Sequence, residues 1–558
     1  MAAAEMIEGK RAPRESWSRM PAALVKDAAP QSPANQNTAH QYAADHVSLK
    51  TWLAVIGATL GAFLAVLNIQ IVNSSLADIQ GAIGAGIDDG GWISTAYLIP
   101  EIIVIPLSGW LSRVFSMRTY LLVNTAVFLA FSVACAFAGN LPEMIVLRAF
   151  QGAAGGVLIP LAFTIIVTML PRSKQPVGLA LFALSATFAP AIGPTIGGYL
   201  NENYGWEFIF YVNLVPGLLM IAMLMFALEK QPMQLGLLKQ GDWIGIVTMA
   251  IGLGALQTVL EEGNKDDWFG SPFIVRLSVI AAIALAAFLV IELKVQRPVL
   301  NLRLLLRRNF GLGTLSNILF GAALYGSSFV LPLYLSQTQG YNAEQIGEVL
   351  AWYGAPQLLL IPIVPKLMKL VGPRALILVG FALFAASNFM NMGLSLDYAA
   401  PQLLLPNLVR ALGQPLIMVP LSAISTAGIE LENAGSASGL FNMTRNLGGA
   451  IGIALLGTLL TKREQFHSNV LMNSVSVFNE ATRQRIAELT NYFLSHGISD
   501  LGTARHEAIV AIGRTVRKQA TVMGYGDAFA LVGVALVVSF GLALLLKGSR
   551  SVSAGEAH

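Results

Sequence analysis

Apolar runs of about 20 residues, long enough to cross the hydrocarbon of a bilayer, recur along nearly the whole chain. They begin near Trp52, Trp92, Tyr120, Met144, Gly178, Phe208, Trp243, Phe273, Phe310, Ile346, Ala375, Leu403, Gly439 and Ala528. A soluble chain would need charged surface to cover so much apolar material, and soluble domains carry about 25% charged residues. Here 12% of residues are charged and 55% are hydrophobic, so lipid must be the solvent. The fold class is therefore an all-α polytopic membrane protein with fourteen transmembrane helices.

Three polar stretches punctuate the runs. Residues 1–50, rich in Ala, Pro, Gln and Asn, read as a disordered tail; no apolar core precedes Thr51, so a cleaved signal peptide is not expected. Residues 461–526 form a long segment between spans 13 and 14, and 548–558 a short tail. Loops after even-numbered spans hold Arg113 and Arg118, Arg172 and Lys174, Lys230 and Lys239, a cluster from Lys294 through Arg297 to Arg308, and Lys366, Lys369 and Arg374. Short loops after odd-numbered spans hold almost none; Lys265 is the exception, in a loop with Glu261, Glu262, Asp266 and Asp267 beside it. The positive-inside rule then puts both termini in the cytoplasm. The net charge of +4 is scattered between the spans and forms no basic face for nucleic acid.

Several chemistries find no residues to carry them. The single cysteine, Cys135, excludes an intrachain disulfide or a cysteine-rich metal site. No phosphate-binding Gly-x-x-x-x-Gly-Lys-Ser/Thr motif is present. All six histidines (His40, His46, His467, His496, His506 and His558) lie outside the apolar runs. An ATPase, an intramembrane metalloenzyme and a bound cofactor are not expected, which leaves an ion gradient as the energy source.

The chain repeats itself. Gly109-Trp-Leu-Ser-Arg113 followed by Arg118 parallels Pro365-Lys-Leu-Met-Lys369 followed by Arg374. Arg148-Ala-Phe-Gln-Gly152 before Ile159-Pro-Leu161 parallels Arg410-Ala-Leu-Gly-Gln414 before Val419-Pro-Leu421. Two six-helix bundles, 51–230 and 309–547, with an inserted helix pair at 241–295, fit the offset. Such repeats typify secondary transporters, whose substrate site lies between the repeats.

At these residues the sequence resembles the fourteen-span drug:proton antiporters of the major facilitator superfamily, the EmrB/QacA family, and its EmrB-like branch in particular. The resemblance runs from Trp52 to Leu545. It rests on Gly109-Trp-Leu111, Arg148-x-x-Gln151-Gly152, Gly193-Pro-Thr-Ile-Gly197-Gly198, Trp206, Phe210-x-x-Asn213, Pro216-Gly217, Asn309-Phe310 and Asn442-Met-Thr-Arg445-Asn-Leu-Gly448-Gly449. It implies a proton-coupled multidrug antiporter of the bacterial inner membrane. A dedicated exporter of one metabolite (a siderophore or fatty acid) and a transport-inactive scaffold or sensor remain open beside it. Pro190, Gly193, Pro194, Gly197 and Gly198 form the family's antiporter motif, which kinks span 5 and favours exchange over leak. Arg113 stands where many members have aspartate, and Ser116 where they have glycine, so the gating loop of Gly109, Arg113 and Arg118 departs from the superfamily pattern.

Ionisable groups inside spans are functional suspects. Glu101 lies mid-span behind Pro100 among apolar neighbours, where ionisation is costly and a carboxyl can load and release a proton. Arg148 belongs beside the proton path or snorkels to the interface. Asn68, where many relatives carry aspartate, cannot titrate; it and Gln70 are cavity groups or inter-helix packing. Tyr97, Gln151, Tyr325 and Gln357 are further cavity candidates, and Asn442, Arg445 and Arg410 weaker ones, the arginines being near span ends. Within 461–526, Ile486, Leu489 and Phe493, and again Ile509, Ile512 and Val516, recur at helical spacing. They predict two amphipathic helices, either a self-packed lid or, as the resemblance implies, a docking surface for an EmrA-like periplasmic adaptor.

Overall fold

In a bilayer each backbone polar group must be satisfied within its own segment, so the apolar runs become helices. The computed structural model describes residues 47–86, 89–296 and 298–547. The expectations for the two tails, Arg297, His40, His46 and His558 fall outside the described residues. Thirteen helices among the described residues are long and apolar enough to cross a membrane, and a bent pair supplies the fourteenth. The first half contains α1 (Leu49–Ser74), α2 (Trp92–Val114), α3 (Met117–Cys135), α4 (Leu141–Met169), α5 (Gln175–Tyr204) and α6 (Leu214–Ala227). The inserted pair is α7 (Trp243–Glu262) and α8 (Pro272–Lys294). The second half contains α9 (Arg308–Tyr334), α10 (Ala343–Leu360), α11 (Pro373–Met390), α12 (Ala400–Thr426), α13 (Ala434–Ser474) and α14 (Leu501–Leu544). After a break, α10 turns by 62° into Val364–Val371.

Short polar side chains start the helices. Asn140 caps α4 by accepting from the Glu143 N–H at 3.0 Å, and Asp242 caps α7 through Gly245 at 2.9 Å. Prolines recur inside α2, α4, α5, α10 and α12, which membrane helices tolerate because neighbouring elements satisfy the freed carbonyls. Beside one of these kinks, Pro160 O accepts a further bond from Ser438 Oγ of α13 at 2.6 Å.

The packing respects the repeat. Within the halves α2 lies on α4 as α10 lies on α12, and α1 lies on α5 as α9 lies on α13. Across the halves, α5 meets α10 and α13 meets α2. The inserted α7 packs on α8, α2 and α13, whereas only 22% of the apolar window of α8 is buried, which makes α8 the outermost helix.

The polar stretch 461–526 is mostly helical continuation of its flanking spans. α13 runs on to Ser474 and α14 starts at Leu501. Glu480–Ser495, one of the expected amphipathic helices, forms between them. The other, Ile509–Val516, is the first part of α14 and not a separate surface helix. Polar contacts extend the pairing beyond the apolar length: Asp527 Oδ2 accepts from Arg463 Nε at 2.5 Å and lies 2.7 Å from His467 Nε2, and Arg517 pairs with Glu464 at 3.3 Å.

The turn between α2 and α3 holds a strained residue. Ser116 adopts φ +64°, ψ 140°, a conformation L side chains rarely take. Its counterpart between the bent end of α10 and α11 is Gly372, at φ +89°, ψ 149°. In Ser116→Gly, relief of about 1–3 kcal/mol of strain should exceed the cap and chain-entropy losses, together about 1 kcal/mol. The thermal midpoint in detergent should rise, and Ser116→Val should lower it.

Candidate functional site

α4 presents Gly152, Gly155 and Gly156 to α2, and the backbones nearly touch: a Cβ on Gly152 would lie 2.1 Å from the Tyr97 carbonyl oxygen. This approach encloses Arg148, which is 1% exposed. Its Nε donates to Ile93 O at 3.2 Å, and one terminal nitrogen donates to Asn68 Oδ1 and Gln151 Oε1, both at 2.7 Å. The guanidinium lies 4.4 Å from the Tyr97 ring centre, a cation–π contact. The arginine therefore does not snorkel; it ties α1, α2 and α4 together.

The second half reproduces this arrangement. Arg410, expected near a span end, is 3% exposed. It donates to Ser328 Oγ at 2.7 Å and stacks 4.1 Å from the Tyr353 ring. Tyr97-Leu-Ile-Pro100-Glu101 on α2 thus corresponds to Tyr353-Gly-Ala-Pro356-Gln357 on α10, a repeat readable in the sequence once the tyrosines are aligned. Gln357 Nε2 donates to Gln414 Oε1 at 2.9 Å. Glu101 is 3% exposed, and its Oε1 has no hydrogen-bond partner. Arg445, also buried, donates to Asn442 Oδ1 at 2.9 Å and faces the Phe182 ring of α5 at 5.5 Å.

Glu101 lines a cavity of about 290 Å³ between the halves, walled by α1, α2, α4, α7, α9 and α13. A neighbouring chamber of about 620 Å³ shares Gln70, Asn73, Tyr325 and Phe329 with it and reaches Pro194 and Tyr341. Both cavities reach the loops at the end opposite the basic loops. At the basic end α2 crosses α13 so closely that a Cβ on Gly109 would lie 2.8 Å from the Gly435 backbone. Arg113 is exposed and Arg118 half-buried beside this crossing.

Of the expected cavity groups, Gln70 and Tyr325 line both chambers. Asn68, Tyr97 and Gln151 line neither; they surround Arg148, because a guanidinium in a dry interior draws the nearest acceptors. Gln357 also lies outside both linings, held by Gln414. In the antiporter motif, Gly193 faces the Gln70 Cβ and Gly197 the Ser74 hydroxyl, so that α5 seats on α1. Pro194 borders the larger chamber, while Pro190 and Gly198 are buried in α5.

Sequence reasoning left Glu261 and Glu262 in a loop. Both instead end α7 inside the smaller cavity. Glu262, 3% exposed, accepts from Thr95 Oγ1 of α2 at 2.8 Å and pairs with Lys265 at 3.2 Å. Glu261 accepts from Gln257 Nε2 at 2.9 Å.

Two bundles around a central cavity, with buried ionisable groups beside it, have the build of a membrane transporter. A sequence profile of the Major Facilitator Superfamily matches residues 58–453. The colistin resistance protein EmrB of Acinetobacter baumannii is 30% identical over 90% of this chain and 97% of its own. The multidrug export protein EmrB of Escherichia coli is 29% identical over 89% and 95%, and the fatty acid resistance protein FarB of Neisseria gonorrhoeae 27% over 88% and 94%. The human organic anion transporter MFSD10 shares the fold, with TM-score 0.55 at 14% identity over 88% of this chain and 99% of its own. The chain belongs to the major facilitator superfamily, in its EmrB-like branch.

Arg148→Met strands the acceptors on Asn68 and Gln151. It should cost about 3 kcal/mol and visibly lower the thermal midpoint in detergent, whereas Arg483→Ala, an exposed pair with Glu480, should shift it little.

Proposed function

We propose that this protein is a proton-coupled multidrug exporter of the bacterial inner membrane, driven by antiport. The observation that carries the reading is Glu101: a buried carboxyl without a partner on Oε1, on the wall of a cavity between the halves. An intramembrane carboxyl so placed marks a proton or substrate pathway. The loop charges orient both termini to the cytoplasm, so both chambers reach the periplasmic side. The bundles 51–230 and 309–547 rock against one another. Glu101 takes a proton from the periplasm, substrate retention is disfavoured, and the proton leaves to the cytoplasm as the bundles reset. Arg148 holds the α1–α2–α4 corner rigid beside this carboxyl. Relatives named for multidrug export and colistin resistance support the substrate range. The relative named for fatty acid resistance favours a second reading, export of a single amphipathic metabolite.

The helix Glu480–Ser495 and the ends of α13 and α14 form a hairpin with Phe478 and Tyr492 exposed. In this reading it docks an EmrA-like periplasmic adaptor.

Purified protein in proteoliposomes under an imposed pH gradient tests the proposal. Wild type should drive uptake or release of a fluorescent amphipathic compound, and Glu101→Gln should abolish the gradient-driven part with folded protein retained. Full gradient-driven transport in that variant overturns the role of Glu101. Mutual competition among chemically unrelated compounds separates a multidrug pump from a dedicated one.

A further inference from the structure

The inserted helix pair does more than lengthen the chain. α7 brings Glu261 and Glu262 to the same small cavity that Glu101 lines, and the cavity has three carboxyls against one lysine. Lys265 is committed to Glu262, which Thr95 also holds from α2. Among the described residues, no cation lies within ion-pair distance of Glu261 or Glu101. Gln257 fixes one oxygen of Glu261, and Glu101 keeps a buried oxygen without a donor. A carboxyl in an apolar enclosure is neutralised by a proton or met by a positive charge, and two of them on one cavity wall offer a place for each. Across the cavity stand Tyr325 and Phe329 of α9, which give an organic body an aromatic wall.

We infer that α7 carries an organic-cation station of the export cavity, with Glu261 as its specificity-determining residue and Glu101 facing the same bound charge. The ligand class is a monovalent lipophilic cation, its charge beside α7 and its apolar body against α9 and in the larger chamber. Glu262, held by Thr95 and Lys265, positions the end of α7. The inference rests on the reading of this cavity as the site of exported compounds and adds the charge they carry.

Equilibrium binding to the purified full chain, with no gradient imposed, tests it. Tetraphenylphosphonium and tetraphenylborate are matched in size and opposite in charge. Wild type should bind the cation more tightly than the anion. Glu261→Gln should weaken cation binding about tenfold without weakening anion binding, and Glu261→Asp should restore part of it. Cation binding unchanged in Glu261→Gln overturns the station, and so does a parallel loss of both ions, which marks a purely structural role. Because binding is read without a gradient, an absence of proton-driven transport in wild type would overturn antiport while leaving this result to stand separately.

Discussion

A guanidinium taken out of water must be met by the protein on every side, and the first half is built around that requirement. Arg148 reaches Asn68 on α1, Ile93 O and the Tyr97 ring on α2, and Gln151 on its own helix. No carboxylate pairs with it, so its partners are neutral dipoles and a π face, which neither titrate nor leave. The glycine-lined contact of α4 with α2 is the geometric condition for this, since any side chain at Gly152 would push Tyr97 away. The same contact sets Glu101, one turn beyond Tyr97, at the cavity wall. Position and chemistry are thus coupled through the arginine without a direct ion pair.

Between the halves the contacts are of another kind. In lipid, helix association depends on close van der Waals approach and small residues. The α2–α13 crossing is backbone against backbone at Gly109 and Gly435, and the α5–α10 crossing sets Gly347 against Thr195. Few directional bonds span the seam; Ser438 to Pro160 O is one. Inside each half, by contrast, buried polar networks hold the helices in register. Rigid bundles with a smooth seam are what a rocking motion requires. In the proposed cycle, the closed basic end and the open opposite end are one position of that motion.

Much of this was legible in the residues themselves. Span number follows from apolar runs, which the bilayer thickness makes unambiguous, and Glu101 and Arg148 stood out because charge inside such a run is rare. The surroundings of Arg148 were less legible: Asn68, Tyr97 and Gln151 read equally well as cavity or packing groups, and only tertiary geometry turns them toward the guanidinium. The segment 461–526 is polar enough to read as a loop. It is helical because Asp527, Arg463, His467, Glu464 and Arg517 satisfy one another between two helices, a pairing no local pattern announces. Glu261 and Glu262 were hidden for a related reason, since carboxyls beside Lys265, Asp266 and Asp267 look like a solvated span end until α7 is packed on α2.

The repeat gives the strongest argument about where coupling resides, because it supplies an internal control. Tyr97 and Tyr353 both stack on a buried arginine, and Pro100 and Pro356 both follow three residues on. At the next position the halves part. Gln357 is neutral and bonded to Gln414, while Glu101 is acidic and lacks a partner on Oε1. Duplicated scaffold with unduplicated charge implies that the scaffold serves the motion common to both halves and the carboxyl serves a task performed once per cycle. The inserted α7 lies against α2, the helix that bears this carboxyl, and contributes further carboxyls to the same cavity. The carboxyls of the cavity are thus carried by α2 and α7, and in the proposed rocking of the halves their distance to Tyr325 and Phe329 of α9 changes.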